Sequence, residues 1–256
     1  TEYCTAVSAL VEGDATLTEQ YWFLTKSTDD DKNEVSDFQQ DYESPVYDSA
    51  PAYMKEDFLF PYQQGFAFVN ALFNKNLFQA VDDAYRNPPV STEQILHPEK
   101  YPDEKPIRVS LPAIEDSLDE GWSKVEENVI GEWYTYLFLA EGIYPDTRLS
   151  HADAEEAAAG WGGDAYAYFT NATTDEDVLV WLSEWDSDTD ASEFYDASRT
   201  YAIQRWGAPR VEGENSITFP NMDGTAAIFR LEDGQVLWII SSDEVAYIQT
   251  LFNFNV

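Results

Sequence analysis

From the first residues the apolar positions fall at three- and four-residue steps: Val7, Leu10, Val11, Ala15, Leu17, Tyr21 and Leu24. That is the spacing of one helix face. No turn or capping residue precedes the run, so the chain is expected to open inside a helix, as a fragment or processed product whose upstream part is missing. Residues 27–51 turn polar, with Asp29-Asp30-Asp31 and two prolines, and read as a long surface excursion. Helices follow over about 57–73 and 77–86. Asn87-Pro88-Pro89 stops the second, and Ser91 with Gln94 opens a short capped one that ends at His97-Pro98. Prolines 98, 102, 106 and 112 hold an extended connection, after which Gly131–Glu141 reads as an aromatic helix.

The period changes after Gly160-Trp161-Gly162-Gly163. Residues 164–170, 178–185, 225–231 and 235–241 are β-rich runs, the last two joined across Glu232-Asp233-Gly234 as a hairpin. A helix over 191–206 lies between the middle two, with Asp190 as its cap, Glu193 closing the box and Gly207 ending it. A final helix spans about 243–252. The expected fold is therefore α+β: a mostly helical part over 1–148, then a small α+β domain over 149–256, an antiparallel sheet with helices on one face.

Composition narrows the function classes. Across 256 residues, 49 Asp and Glu face 14 Lys and Arg, a formal net charge of −35, yet 44% of the residues are apolar. Such a chain folds rather than staying disordered. Its field repels nucleic acid and anionic lipid. Acid spread from end to end suits a protein of a halophile, because molar salt cuts the Debye length to about 3 Å and screens the self-repulsion. No apolar run is long enough to span a membrane. Cys4 is the single cysteine, expected as a buried free thiol, although it could pair with a cysteine outside the chain. Asn171-Ala172-Thr173 is the one glycosylation pattern, relevant only after export.

Two patches carry candidate chemistry. Glu12 lies in Ala9-Leu10-Val11-Glu12-Gly13-Asp14-Ala15, where a buried carboxylate would need a compensating charge such as a metal ion. Tyr62 opens Tyr62-Gln63-Gln64-Gly65-Phe66-Ala67-Phe68-Val69 after Pro61, where a hydroxyl near a helix start can donate to an oxyanion and Gly65 admits a neighbouring backbone. Taken separately, Glu12 reads equally as a solvent-facing acid and Tyr62 as a core aromatic.

Together the patches resemble the downstream half of a gluzincin zinc metallopeptidase. In that clan H-E-x-x-H supplies two ligands and the general base, and a Glu on the next helix supplies the third ligand. The second patch resembles the Pro-Tyr-x-Lys-Gly segment of the aminopeptidase N and leukotriene hydrolase family. The resemblance implies Glu12 as a zinc ligand, Tyr62 as the oxyanion donor, and Asp14 as a residue that at most orients a neighbour. His97 could bind an oxyanion or support a ligand, or simply anchor the proline-rich connection. A likeness to haloarchaeal surface proteins with a gluzincin-like domain runs on through Pro88 to Tyr101 and through Gly160 to Asp164. It implies an exported, cell-surface protein.

Gln64 stands where the peptidase family has Lys, and H-E-x-x-H is absent. The two histidines, His97 and His151, lie on different elements, so zinc would require ligands from outside this chain, and no hydrolysis is expected of this chain alone. His151 reads as a surface residue at a helix start. The acidic run 186–190 fails as a calcium loop, because Ala191 and Ala197 occupy the positions of the required Gly and bidentate Glu. Two other readings compete with the peptidase: a non-catalytic envelope protein on a degenerate gluzincin scaffold, and an aromatic small-ligand module in the sheet domain. The last requires an open aromatic pocket there.

Overall fold

The structure, a computed structural model, describes residues 2–254 and 256. It is α+β and divides into two compact units, Glu2–Glu104 and Lys105–Val256. The sequence places the change at 148/149. The compact units part earlier because the helix Gly131–Glu141 is bound to the sheet, as shown below.

The first unit is helical: α1 (Glu2–Lys26), α2 (Asp29–Asp41), α3 (Pro45–Asp48), α4 (Ala52–Arg86) and α5 (Thr92–Leu96). The stretch expected as a surface excursion contains α2, opened by a reciprocal capping box in which Thr28 and Asp31 each accept from the other's backbone N–H. Asp29 to Asp31 thus fill a first turn, where acidic groups suit the helix dipole. Helix α4 is two helices across a break at Asn76 and Leu77, the latter at φ 51°, which matches the interruption read between 73 and 77. On α1 the buried stripe is Ala6, Ala9, Leu10, Gly13 and Leu17. Val11, Tyr21 and Leu24, which share the sequence's apolar spacing, are exposed. Small residues on the buried stripe let a partner helix approach closely, so size rather than hydrophobicity selects the face. Cys4 is exposed, contrary to the expected buried thiol.

In the second unit a 3₁₀ turn (Ile114–Ser117) leads to β1 (Trp122–Asn128), α6 (Gly131–Glu141), a 3₁₀ turn (Pro145–Thr147) and α7 (His151–Ala158). Then come β2 (Trp161–Asn171), β3 (Asp177–Trp185), α8 (Asp188–Trp206), β4 (Val211–Glu212), β5 (Ser216–Asn221), β6 (Gly224–Arg230), β7 (Gln235–Ser241) and α9 (Glu244–Leu251). The strands form one antiparallel sheet in the order β1-β2-β3-β7-β6-β5-β4. Strands β1 and β4 lack a clean apolar alternation, whereas the short β5 buries Ile217 and Phe219 alternately; none of the three is among the strands expected from the sequence. Asp233 at φ 58° and Gly234 at φ 73° make the β6–β7 turn, as the hairpin signal implied.

Both faces of the sheet are covered, rather than one. Trp181, Trp185, Phe194, Ile228 and Trp238 pack in a cluster under α6 to α8. Val180, Leu182, Leu237 and Ile239 pack on the other face with Ile114, Ala246 and Tyr247. Helix α8 starts earlier than read. Ser187 is its cap, accepting from the Asp190 N–H, and its hydroxyl donates to the Asp190 carboxylate at 2.6 Å. No helix among the described residues is long and apolar enough to cross a membrane.

Candidate functional site

In the helical unit two glycines let α1 and α4 touch backbone to backbone. A Cβ on Gly13 would lie 2.2 Å from the carbonyl carbon and oxygen of Gly65, and one on Gly65 would lie 2.2 Å from the carbonyl oxygen of Ala9. Any side chain at either position would force the helices apart. The two patches singled out in the sequence therefore meet at one crossing. Glu12 directly precedes Gly13 and is half-buried. Tyr62, about one turn before Gly65, is 39% exposed, its ring 6.1 Å from that of Phe58.

Among the described residues neither the Glu12 carboxylate nor the Tyr62 hydroxyl has a hydrogen-bond or ion-pair partner. Glu12 belongs to no set of three metal-ligating side chains among those residues. A catalytic zinc takes three protein ligands. Glu12 therefore does not complete a zinc site with other side chains among the described residues.

The other sequence candidates are held by neighbours. Asp14 accepts from the Tyr85 hydroxyl at 3.0 Å, tying α1 to the far half of α4. Burial, reinforced by that bond and the charge behind it, pushes the Tyr85 phenol up to about 12. His97 ends α5, its backbone N–H bonded to the Glu93 carbonyl and its Nδ1 3.8 Å from Glu99. The segment leading to it is a buried polar knot that the sequence reading took only for a capped turn. Ser91, Thr92, Glu93 and Gln94 are all buried. Glu93 pairs with Lys100 at 2.7 Å, and Thr92 donates to Glu2 on α1. Only tertiary contact supplies these partners.

In the sheet unit, Asn171 is 7% exposed and accepts from the Thr173 N–H at 2.9 Å, so the folded chain does not present its amide for glycosylation. His151 lies at the surface as expected, although both its nitrogens are engaged: Nδ1 is 2.7 Å from the Tyr136 hydroxyl and Nε2 3.5 Å from the buried Glu141.

This unit also contains what the small-ligand reading required. Trp181 on β3 and Trp238 on β7 are directly opposite in register, with ring centroids 6.3 Å apart and planes 31° from parallel. Tyr166 stands beside Trp181 on β2, and Asn128 beside Tyr166 on β1, so one row of the sheet is polar at its edge and aromatic inward. Phe138 of α6 meets both indoles edge to face, at 6.1 and 5.6 Å. Between these groups lies a cavity of about 480 Å³, within the usual size for small-molecule sites. The indole N–H groups of Trp181 and Trp238 are buried with no partner among the described residues. At the rim the Tyr166 hydroxyl donates to Glu126 at 2.7 Å, and burial with that contact raises the phenol to about 12.

Helix α6 is set over this row by one buried carboxylate. Asp164 of β2, 2% exposed, accepts from the N–H groups of Ile130 and Gly131 and from the Trp161 indole, each at 2.8 Å. It caps the helix from another element, which no local motif could announce.

A family model described as "Domain of unknown function (DUF8575)" matches residues 119–251, just over half of the chain. The chain belongs to this family. No curated protein and no solved structure matches it. The matched span runs from before β1 to the end of α9, so it includes the whole aromatic cavity, Asp164, His151 and Asn171. Glu12, Asp14, Tyr62 and His97 lie outside it, and the family match is silent on the helical unit.

Proposed function

We propose that the helical unit is the downstream part of a gluzincin-like metallopeptidase domain in an exported, halophilic surface protein. In this reading peptide hydrolysis arises only where a segment outside the chain contributes the H-E-x-x-H ligands and base. The observation that carries it is the Gly13–Gly65 crossing, which packs the two resembling patches against each other, with no partner for the Glu12 carboxylate or the Tyr62 hydroxyl among the described residues. Glu12 would contribute one metal ligand, and Tyr62 a donor to the developing oxyanion. Exposed Tyr3, Val11 and Tyr21 on α1 give the apolar surface that a further segment would cover.

The departure at Gln64 favours a second reading, a non-catalytic envelope interaction protein on the same scaffold. One experiment separates them: zinc analysis and peptide hydrolysis of the complete gene product in molar salt, beside Glu12→Ala and Tyr62→Phe. The peptidase reading expects stoichiometric zinc that Glu12→Ala loses, and a Tyr62→Phe protein that keeps its zinc but turns over about a hundredfold more slowly. Equal zinc in wild type and Glu12→Ala overturns the ligand role. A wild type without zinc or hydrolysis leaves the non-catalytic reading.

A further inference from the structure

The aromatic cavity of the sheet unit has no part in the peptidase reading. Its electrostatics favour one ligand class. Tyr134, Phe138 and Tyr166 line it together with Trp181 and Trp238, which are 4% and 2% exposed, and Glu126 is the one formally charged side chain among the described residues that line it. Aromatic faces carry partial negative charge. The carboxylate adds to that field at short range, where molar salt screens it least.

An anion is repelled by both. A neutral apolar molecule gains only from burial, whereas a cation with an apolar body gains from burial, from the ring faces and from Glu126 together. We infer that this cavity binds a small organic cation: an alkylated ammonium on a flat apolar body.

The test titrates the chain in molar potassium chloride with 3-hydroxyphenyltrimethylammonium and with 3-tert-butylphenol, its uncharged isostere, followed by calorimetry and tryptophan fluorescence. The cation is expected to bind about tenfold more tightly than the isostere. Glu126→Gln keeps an acceptor for the Tyr166 hydroxyl on an exposed strand. It should weaken the cation several-fold and leave the isostere unchanged. Leu179→Trp, which fills the cavity from its half-buried wall, should abolish both while circular dichroism stays that of the wild type. Equal affinity for the two probes, a cation affinity unmoved by Glu126→Gln, or no binding of either at millimolar concentration would overturn the assignment.

Discussion

Asp164 carries the least expected electrostatics in the chain. Burial raises its carboxyl to about 6, although bonds from Gly131, Ile130 and Trp161 pull the other way. An unfolded Asp titrates near about 3.9, so the native state holds this proton more tightly than the unfolded chain. The resulting stability is complete below about pH 4 and is lost as pH rises through about 6, a contribution on the order of 3 kcal/mol. Comparing wild type with Asp164→Asn cancels the general acidic repulsion. The stability difference between them should move against the wild type as pH climbs through that window, and a constant difference in urea unfolding would refute the assignment.

Gly65 is the other decisive single residue, because an added methyl would lie 2.2 Å from the Ala9 carbonyl oxygen and 2.9 Å from its carbonyl carbon. Gly65→Ala should cost about 1–3 kcal/mol through overpacking. Gln64→Ala, one residue earlier, should stay within about 0.5 kcal/mol. Gly65 was legible as a glycine that admits a neighbouring backbone, and the structure supplies that backbone at Ala9. Asp164 reads in sequence only as a strand acid, and only the N–H groups across from it reveal its role.

At the scale of elements, most of the legible signals were local ones. Gly131–Glu141, the Gly207 stop and the Asp233-Gly234 turn are written in neighbouring residues, and the structure places them where periodicity and turn chemistry imply. The break in α4 was legible as a lapse in periodicity, but its strain was not. Leu77 holds φ 51° with ψ −152°, a region suited to glycine, while 64% exposed. Leu77→Gly therefore gives up little burial and should raise stability by about 0.5–1 kcal/mol, read as an increase in denaturant midpoint. No change, or a loss, would show that the packing of Leu77 outweighs the backbone relief. The edge strands β1 and β4 were missed for the converse reason. Much of their surface meets solvent, so strand pairing rather than an apolar face defines them.

For the whole molecule the dominant quantity is charge. A net −35 on 256 residues strains any compact state in dilute buffer. We therefore expect the melting temperature to rise steadily as potassium chloride goes from submolar to molar. A melting temperature indifferent to salt would count against a halophilic origin. The peptidase reading rests on the helical unit alone, and the organic-cation site on the sheet unit alone, so each stands or falls by its own titration.

What the chain determined by itself is whatever depends on near neighbours: the α+β class, the main helices and central strands, the caps and turns, and an acidic surface that excludes polyanions. Tertiary structure alone decided which small residues face a partner helix, which acid caps a helix from across the sheet, and that two tryptophans more than fifty positions apart share a cavity wall. The reason is reach. Helix periods and turn conformations are settled within a few residues, whereas burial, desolvation and cavities depend on what a distant segment brings alongside.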